Sequence, residues 1–203
     1  MKNDSPRIII KNPTIIDGNG KQPYKANVLV SNGRIELITE KDINKITNDI
    51  VIDAKGLYLL PGMIDCHVHV MINRYNLLSH LNTPFSLNFY NAIDNMKALL
   101  NAGITSARDA GGADLGVKKA LENGVVDGPR LKISISPLSI TGGHLDAWMP
   151  SGMQLFLLNP PYPGNPSGIC DGIDEVRKRV REILRSGADF IKTCSTGGVM
   201  SPT

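Results

Sequence analysis

The chain has 203 residues, 41% of them hydrophobic, and its 22 Lys and Arg against 19 Asp and Glu leave a net charge of +3. That balance is ordinary for a globular protein and gives no footing for a nucleic-acid or membrane partner. The polar start MKNDSPR has no apolar core of a secretion signal and no run approaches 18 apolar residues, so a cytoplasmic protein without membrane spans is expected.

In the first 60 residues, short apolar or alternating runs at 7–11, 26–30, 35–39 and 50–53 are separated by Asp17-Gly18-Asn19-Gly20 and Asn32-Gly33, which are hairpin signals. A small β-sheet domain is expected there. Beyond it, strands are predicted at 63–69, 104–108, 130–136 and 189–194, with helical periodicity between them. Thr83-Pro84 reads as an N-cap and first-turn proline ahead of the apolar face Phe85, Phe89, Ile93, Met96 and Leu100, and Gly103 as the stop. Asp171 and Asp174 read as a capping-type start for a helix whose buried stripe is Ile173, Val176, Val180, Ile183 and Leu184, ending at Gly187. Arg177, Lys178, Arg179, Arg181 and Arg185 are its solvated face. Strand and helix alternation implies a parallel sheet covered by helices, an α/β class. Residues 159–168, NPPYPGNPSG, form a loop long enough to cover or line a site.

Three positions carry chemical promise. His67 and His69 stand on one face of the first of these strands, about 6.6 Å apart along it. They suit either convergence on one metal ion, which takes imidazole at about 2.0–2.1 Å, or a packed pair with satisfied nitrogens. In 190–194, period 2 puts Phe190, Lys192 and Cys194 on one face and Ile191 and Thr193 on the other. Lys192 then points either inward, where burial yields a reactive amine, or out to solvent. His144 follows two glycines in the loop after the third strand, poised over a site or exposed. Arg108 and Asp109 end the second strand, as an ion pair or as substrate contacts. Asp65 is a supporting acceptor, Trp148 a pocket wall or loop packing, and His80 a surface residue. Cys66, Cys170 and Cys194 lack C-x-x-C spacing and read as reduced thiols, Cys66 and Cys194 as small packing residues in core strands.

Four segments taken together, IVIDAKGLYLLPGMIDCHVHV (50–70), GITSARDAGG (103–112), GPRLKISISPLSITGGHLD (128–146) and GADFIKTCSTGGVMSP (187–202), resemble the metal-dependent amidohydrolase superfamily. The last three are similar to its prolidase-like branch of Xaa-Pro dipeptidases and imidazolonepropionase relatives. The likeness runs from Ile8 to the last residue.

That resemblance implies a β-sandwich-type domain over 1–60 and, over 61–203, the N-terminal half of a TIM-like (β/α)8 barrel. A whole barrel takes about 250 residues, and 143 follow Leu60. It implies two divalent ions, most simply zinc, with His67 and His69 on one of them. Lys192, carboxylated by carbon dioxide, would bridge both. A metal-bridged hydroxide would attack a non-cyclic amide of the dipeptide or N-acyl amino acid type. His144 would touch the substrate carbonyl or the tetrahedral intermediate, and Arg108 the substrate. Two histidines and an aspartate from later strands finish the family's site and have no counterpart here, so the chain by itself is expected to be inactive. Two other readings compete: a cyclic-amide hydrolase or deaminase of the same superfamily, and a non-catalytic subunit that pairs with a complementary C-terminal half or with itself. The expected partner is a small-molecule amide.

Overall fold

The computed structural model describes residues 6–72, 77–158 and 160–198, without the side chains of Leu77, Leu78 and His80. The surface reading of His80 and the Val-Met-Ser-Pro stretch of the last motif therefore lie outside the described residues. The chain divides into two compact units, Met1–Pro61 and Gly62–Thr203.

The first unit holds β1 (Ile8–Lys11), β2 (Thr14–Ile15), β3 (Tyr24–Lys25), β4 (Asn27–Ser31), β5 (Arg34–Thr39), β6 (Ile50–Asp53) and β7 (Tyr58–Leu59). They form a four-stranded sheet in the order β5-β4-β1-β6 and a three-stranded sheet β3-β2-β7. The β4–β5 hairpin turns through Asn32 at φ 50° and Gly33 at φ 71°, the pair of positive φ values that an Asn-Gly turn supplies at low cost. Ile9, Leu29 and Ile43 bury one apolar cluster and Ile15, Ala26 and Val28 another.

The second unit runs β8 (Met63–Val68), α1 (Leu77–Asn82), α2 (Leu87–Asn101), β9 (Ile104–Asp109), α3 (Leu115–Glu122), β10 (Arg130–Ile133) and α4 (Gly172–Arg185). The three strands pair in parallel in the order β10-β9-β8. Val70, Met96, Ala107, Val117, Leu131 and Ile133 are buried in a shared core. Between the pairs Met63↔Ile104 and Ile64↔Ser106, β9 carries one extra residue, Thr105. A Cβ on Gly62 would collide with the Thr105 side chain, so the glycine ahead of β8 makes room for that irregularity.

Several local expectations are corrected. Helix α2 begins at Leu87 with Ser86 at its N-cap; Thr83 instead donates its hydroxyl to Ser79 O at 2.7 Å, closing the end of α1. Helix α3 was not foreseen, although Asp114 caps it by accepting from Val117 N at 2.9 Å. Asp171 sits at the N-cap of α4 without a side-chain cap bond. Its carboxylate takes the Thr141 amide and hydroxyl instead, while Glu175 accepts from the Asp171 amide. Of the α4 stripe only Ile183 is fully buried, and Ile173, Val176 and Leu184 are exposed. The helix packs along a narrow line in which Val180 and Ile183 meet Leu138, Cys170, Ala188 and Ile191. Cys170 is accordingly the buried thiol, whereas Cys66 is exposed on β8, which pairs only with β9 among the described strands.

The fourth predicted strand is not a regular one. Asp189 N donates to Ile133 O at 2.8 Å, and further on Leu138 N donates to Lys192 O and Cys194 N to Leu138 O, both at 2.8 Å. Between these contacts Ile135 sits at φ 63°, a left-handed value foreign to a β-branched residue. Its carbonyl accepts from Gly112 N at 2.8 Å, so the ladder is broken where this residue turns toward the β9 side. No helix among the described residues is long and apolar enough to cross a membrane.

Candidate active site

The polar groups singled out in the sequence occupy the C-terminal ends of parallel segments, the end where such sheets place their sites. Between the pairs Asp65↔Ala107 and Val68↔Asp109, β8 carries one residue more than β9, a bulge of the kind that re-aims a side chain. Asp65 Oδ1 accepts from the His67 amide at 2.9 Å; it braces the bulge rather than an imidazole. The His67 and His69 rings lie on the same side, with centroids 5.2 Å apart and planes at 66°. His69 Nδ1 donates to Gly111 O at 2.8 Å. That bond leaves Nε2 with its lone pair free for a ligand, the arrangement by which a carbonyl orients a metal-binding histidine.

Desolvation, then the positive charge of Lys192, hold His67 below the ordinary imidazole range; Asp65 opposes them and Arg108 adds to them. Neutral imidazole is the form that binds a metal ion. Lys192 is half-buried, and its charge is felt at His67, whereas its neighbour Ile191 packs into the α4 cluster. Phe190 lies beneath the Arg108 guanidinium, 4.2 Å from Cζ to ring centroid, a cation–π contact that steadies an otherwise exposed arginine.

Asp109 is placed otherwise than its neighbour in the sequence suggests. It does not pair with Arg108 but is fully buried, accepting from the amides of Val70 at 2.8 Å, Gly111 at 3.0 Å and Ala113 at 3.2 Å. It thereby ties the loop after β8 to the loop after β9 and holds the residue whose carbonyl orients His69. The signal was present: an aspartate at a strand end followed by a glycine turn, where the Gly111 amide needs an acceptor.

Burial pushes the Asp109 carboxyl up to about 6, against the three amides that favour its ionised form. A carboxyl raised above its unfolded value near 3.9 stabilises the fold below that value, and the contribution fades as pH rises through about 6. Unfolding experiments from pH 4 to pH 7 should show a loss of up to about 3 kcal/mol from this group. His67 works in the opposite sense, so the difference between the unmodified protein and Asp109→Asn isolates the effect. A difference independent of pH would contradict it.

His144 is held by close packing. Gly142 has φ 73°, and a Cβ on Gly143 would lie 2.5 Å from Ser139 Oγ and 2.8 Å from Ile140 O. Asp146 Oδ2 accepts from the Gly142 amide at 2.8 Å. The His144 ring rests against Gly198, where any side chain would strike Nδ1. That nitrogen is buried without a hydrogen-bond partner among the described residues. Trp148, exposed on one side, walls a cavity of about 330 Å3 with the loop that follows β10.

Among the described residues no three of His, Cys, Asp and Glu converge to hold an ion. The donors that fit one are His69 Nε2 and the His67 ring. Lys192 shares their side; its ammonium is no ligand, but a carbamate made on it would offer two oxygens.

The model of the amidohydrolase family matches residues 58–203. Ochratoxinase from Aspergillus niger is 35% identical over 203 aligned residues, covering 92% of this chain and 42% of that protein. Its crystal structure superposes with a TM-score of 0.78 at 32% identity, over 99% of this chain and 49% of that one. A prolidase crystallised with N-methylphosphonate-L-proline gives a TM-score of 0.83 at 35% identity, and an amidohydrolase gives 0.81 at 38%, each over 97% of this chain and 48% of the other. The chain thus spans about half the length of the relatives it matches.

Proposed function

The chain belongs to the amidohydrolase family, and from that premise we propose that it carries part of the catalytic centre of a metal-dependent hydrolase of non-cyclic amides, of the dipeptide or N-acyl amino acid type. In this reading the second unit is the first half of a (β/α)8 barrel. The observation that carries it is the His69 Nδ1 bond to Gly111 O beside the His67 ring, 5.2 Å away between centroids. The likeness to a prolidase and to ochratoxinase supports the choice of bond.

His67 and His69 would hold one divalent ion, most simply zinc, and Lys192, as its carbamate with carbon dioxide, would join it to a second. Bound ions of this kind supply a water nucleophile near neutral pH and polarise the scissile carbonyl. The chain's own residues do the rest. Asp109, through Gly111, keeps His69 in one tautomer and one orientation. His144 offers its imidazole to the carbonyl oxygen as negative charge gathers there, a contact that matters most in the transition state. Arg108, steadied by Phe190, presents a permanent positive charge to an anionic end of the substrate.

The full-length protein should hydrolyse Xaa-Pro dipeptides or N-acyl amino acids, lose that activity on chelation and regain it with zinc. His144→Ala should lower kcat by about a hundredfold with metal content unchanged. Metal lost on His144→Ala would move that residue into the metal site, and hydrolysis indifferent to chelation would overturn the mechanism.

A further inference from the structure

We propose that the cavity beside the His144 loop receives a bulky apolar side chain of the substrate, so that the protein selects amides bearing a phenyl- or indole-sized group; this rests on the amide-hydrolase reading above. The cavity, about 330 Å3, is walled by Leu145, Trp148, Phe156, Leu158 and Ile169 among others. A closed apolar cavity of about 150 Å3 accepts benzene, so a larger aromatic side chain fits with its point of attachment.

Of the polar side chains in the wall, those of Ser136, Asp146, Asn165 and Ser167 are already engaged, which leaves Gln154. Ser136 donates its hydroxyl to Asn165 Oδ1 at 2.6 Å, and Asn165 Nδ2 donates to Pro160 O at 3.4 Å. Asp146 accepts from the amides of Gly142 and Trp148, and Ser167 Oγ from that of Ile169. A polar occupant would give up hydration with little in return, whereas an apolar one gains from burial. The walls are also pre-formed. Tyr162, in the same proline-rich loop, packs against Phe85 and edge-on against Phe89 with centroids 4.9 and 6.1 Å away, and Trp148 bridges to Gln154 through the backbone.

The position of the cavity assigns it to the site. A Cβ on Gly111 would meet Leu158 at 2.7 Å and Pro137 at 2.8 Å, both of them wall residues, and the Gly111 carbonyl is the group that orients His69. On another side the wall begins at Leu145, directly after His144.

Calorimetric titration of the full-length protein, stripped of metal with a chelator, with N-acetyl-L-phenylalanine and with N-acetylglycine reads the pocket without turnover. The aromatic probe should bind at least about tenfold more tightly. Ala147→Phe, which fills the cavity from its wall, should bring the ratio of affinities close to one. Trp148→Ala, which removes a wall, should lower the ratio and stands in if Ala147→Phe fails to give a native circular dichroism spectrum. Equal affinities in the unmodified protein, or a ratio that neither variant changes, overturn the pocket. Aromatic preference retained without cleavage of any amide in the presence of zinc supports the pocket and overturns the hydrolase reading.

Discussion

Lys192→Ala should lower kcat/KM for the proposed amide hydrolysis by the full-length protein by about a thousandfold or more and leave it short of its full metal complement. The expectation starts from strand parity. Ile191 faces Val180 and Ile183 of α4, so Phe190 and Lys192 are left to the other side, where the lysine charge depresses the His67 pKa. A half-buried ammonium whose charge is felt at His67 would repel a divalent cation there. Conversion to a carbamate replaces that positive charge by a negative one and supplies two oxygens where the cation would sit. Lys192→Arg keeps the positive charge but cannot form the carbamate, and should be as inactive as Lys192→Ala. Acetate should restore part of the activity of Lys192→Ala, since it brings a carboxylate into the space vacated by the side chain. Bound zinc measured by elemental analysis, and a carbonyl signal from 13C-labelled carbon dioxide in the unmodified protein alone, check the assignment apart from turnover. Full metal content and activity in Lys192→Arg would sink it.

The sequence made this residue legible because a strand's period of 2 survives even where its ladder does not. Hydrogen bonds join the segment 189–194 to the β10 side only near its ends, through Asp189, Lys192 and Cys194, yet the alternation of Ile191 and Lys192 persists. His67 and His69 were legible for the same reason, and the bulge at β8 did not separate them. The β4–β5 hairpin followed from Asn32-Gly33, whose backbone requirement is local.

What could not be read depends on partners distant in sequence. Asp109 looked like an ion-pair partner for Arg108 because adjacent charges invite that reading, but in β9 neighbouring side chains point to opposite faces. The true partners of its carboxylate are three backbone amides, one of them at Val70. The exposed Ile173, Val176 and Leu184 show the limit of periodicity. It identifies the apolar face of α4 correctly, but how much of that face is covered depends on what packs against it. Helix α3 was missed because its eight residues give barely two turns of pattern, and the cap at Asp114 was the better signal.

Asp189→Ala is expected to destabilise the protein by about 3 kcal/mol, the larger share of it felt above pH 4. This aspartate opens the motif that ends in Lys192, and its side chain, only 14% exposed, gathers three donors. Lys118 Nζ reaches it at 2.7 Å, the Ile133 amide at 3.0 Å and Lys132 Nζ at 3.1 Å. One carboxylate thus fastens the start of the fourth segment to β10 and to α3. Burial by itself would raise its pKa, but Lys118, the Ile133 amide and Lys132 together hold it below the usual carboxylate range. A carboxylate with a depressed folded pKa contributes stability above its unfolded value near 3.9, and that contribution disappears as pH falls through the folded value. Truncation to alanine leaves the Lys118 ammonium, itself only 15% exposed, with the longer contact to Glu122 at 3.9 Å, and leaves the Ile133 amide without its acceptor. Asp189→Asn keeps an oxygen for that amide but drops both charge contacts, and should fall between the two. Urea unfolding at pH 7 and at pH 3 provides the comparison: the gap between unmodified protein and Asp189→Ala should be wide at the first and much narrower at the second. A gap of the same size at both would mean that the site is held by shape alone, and that the two lysines contribute nothing to placing Lys192.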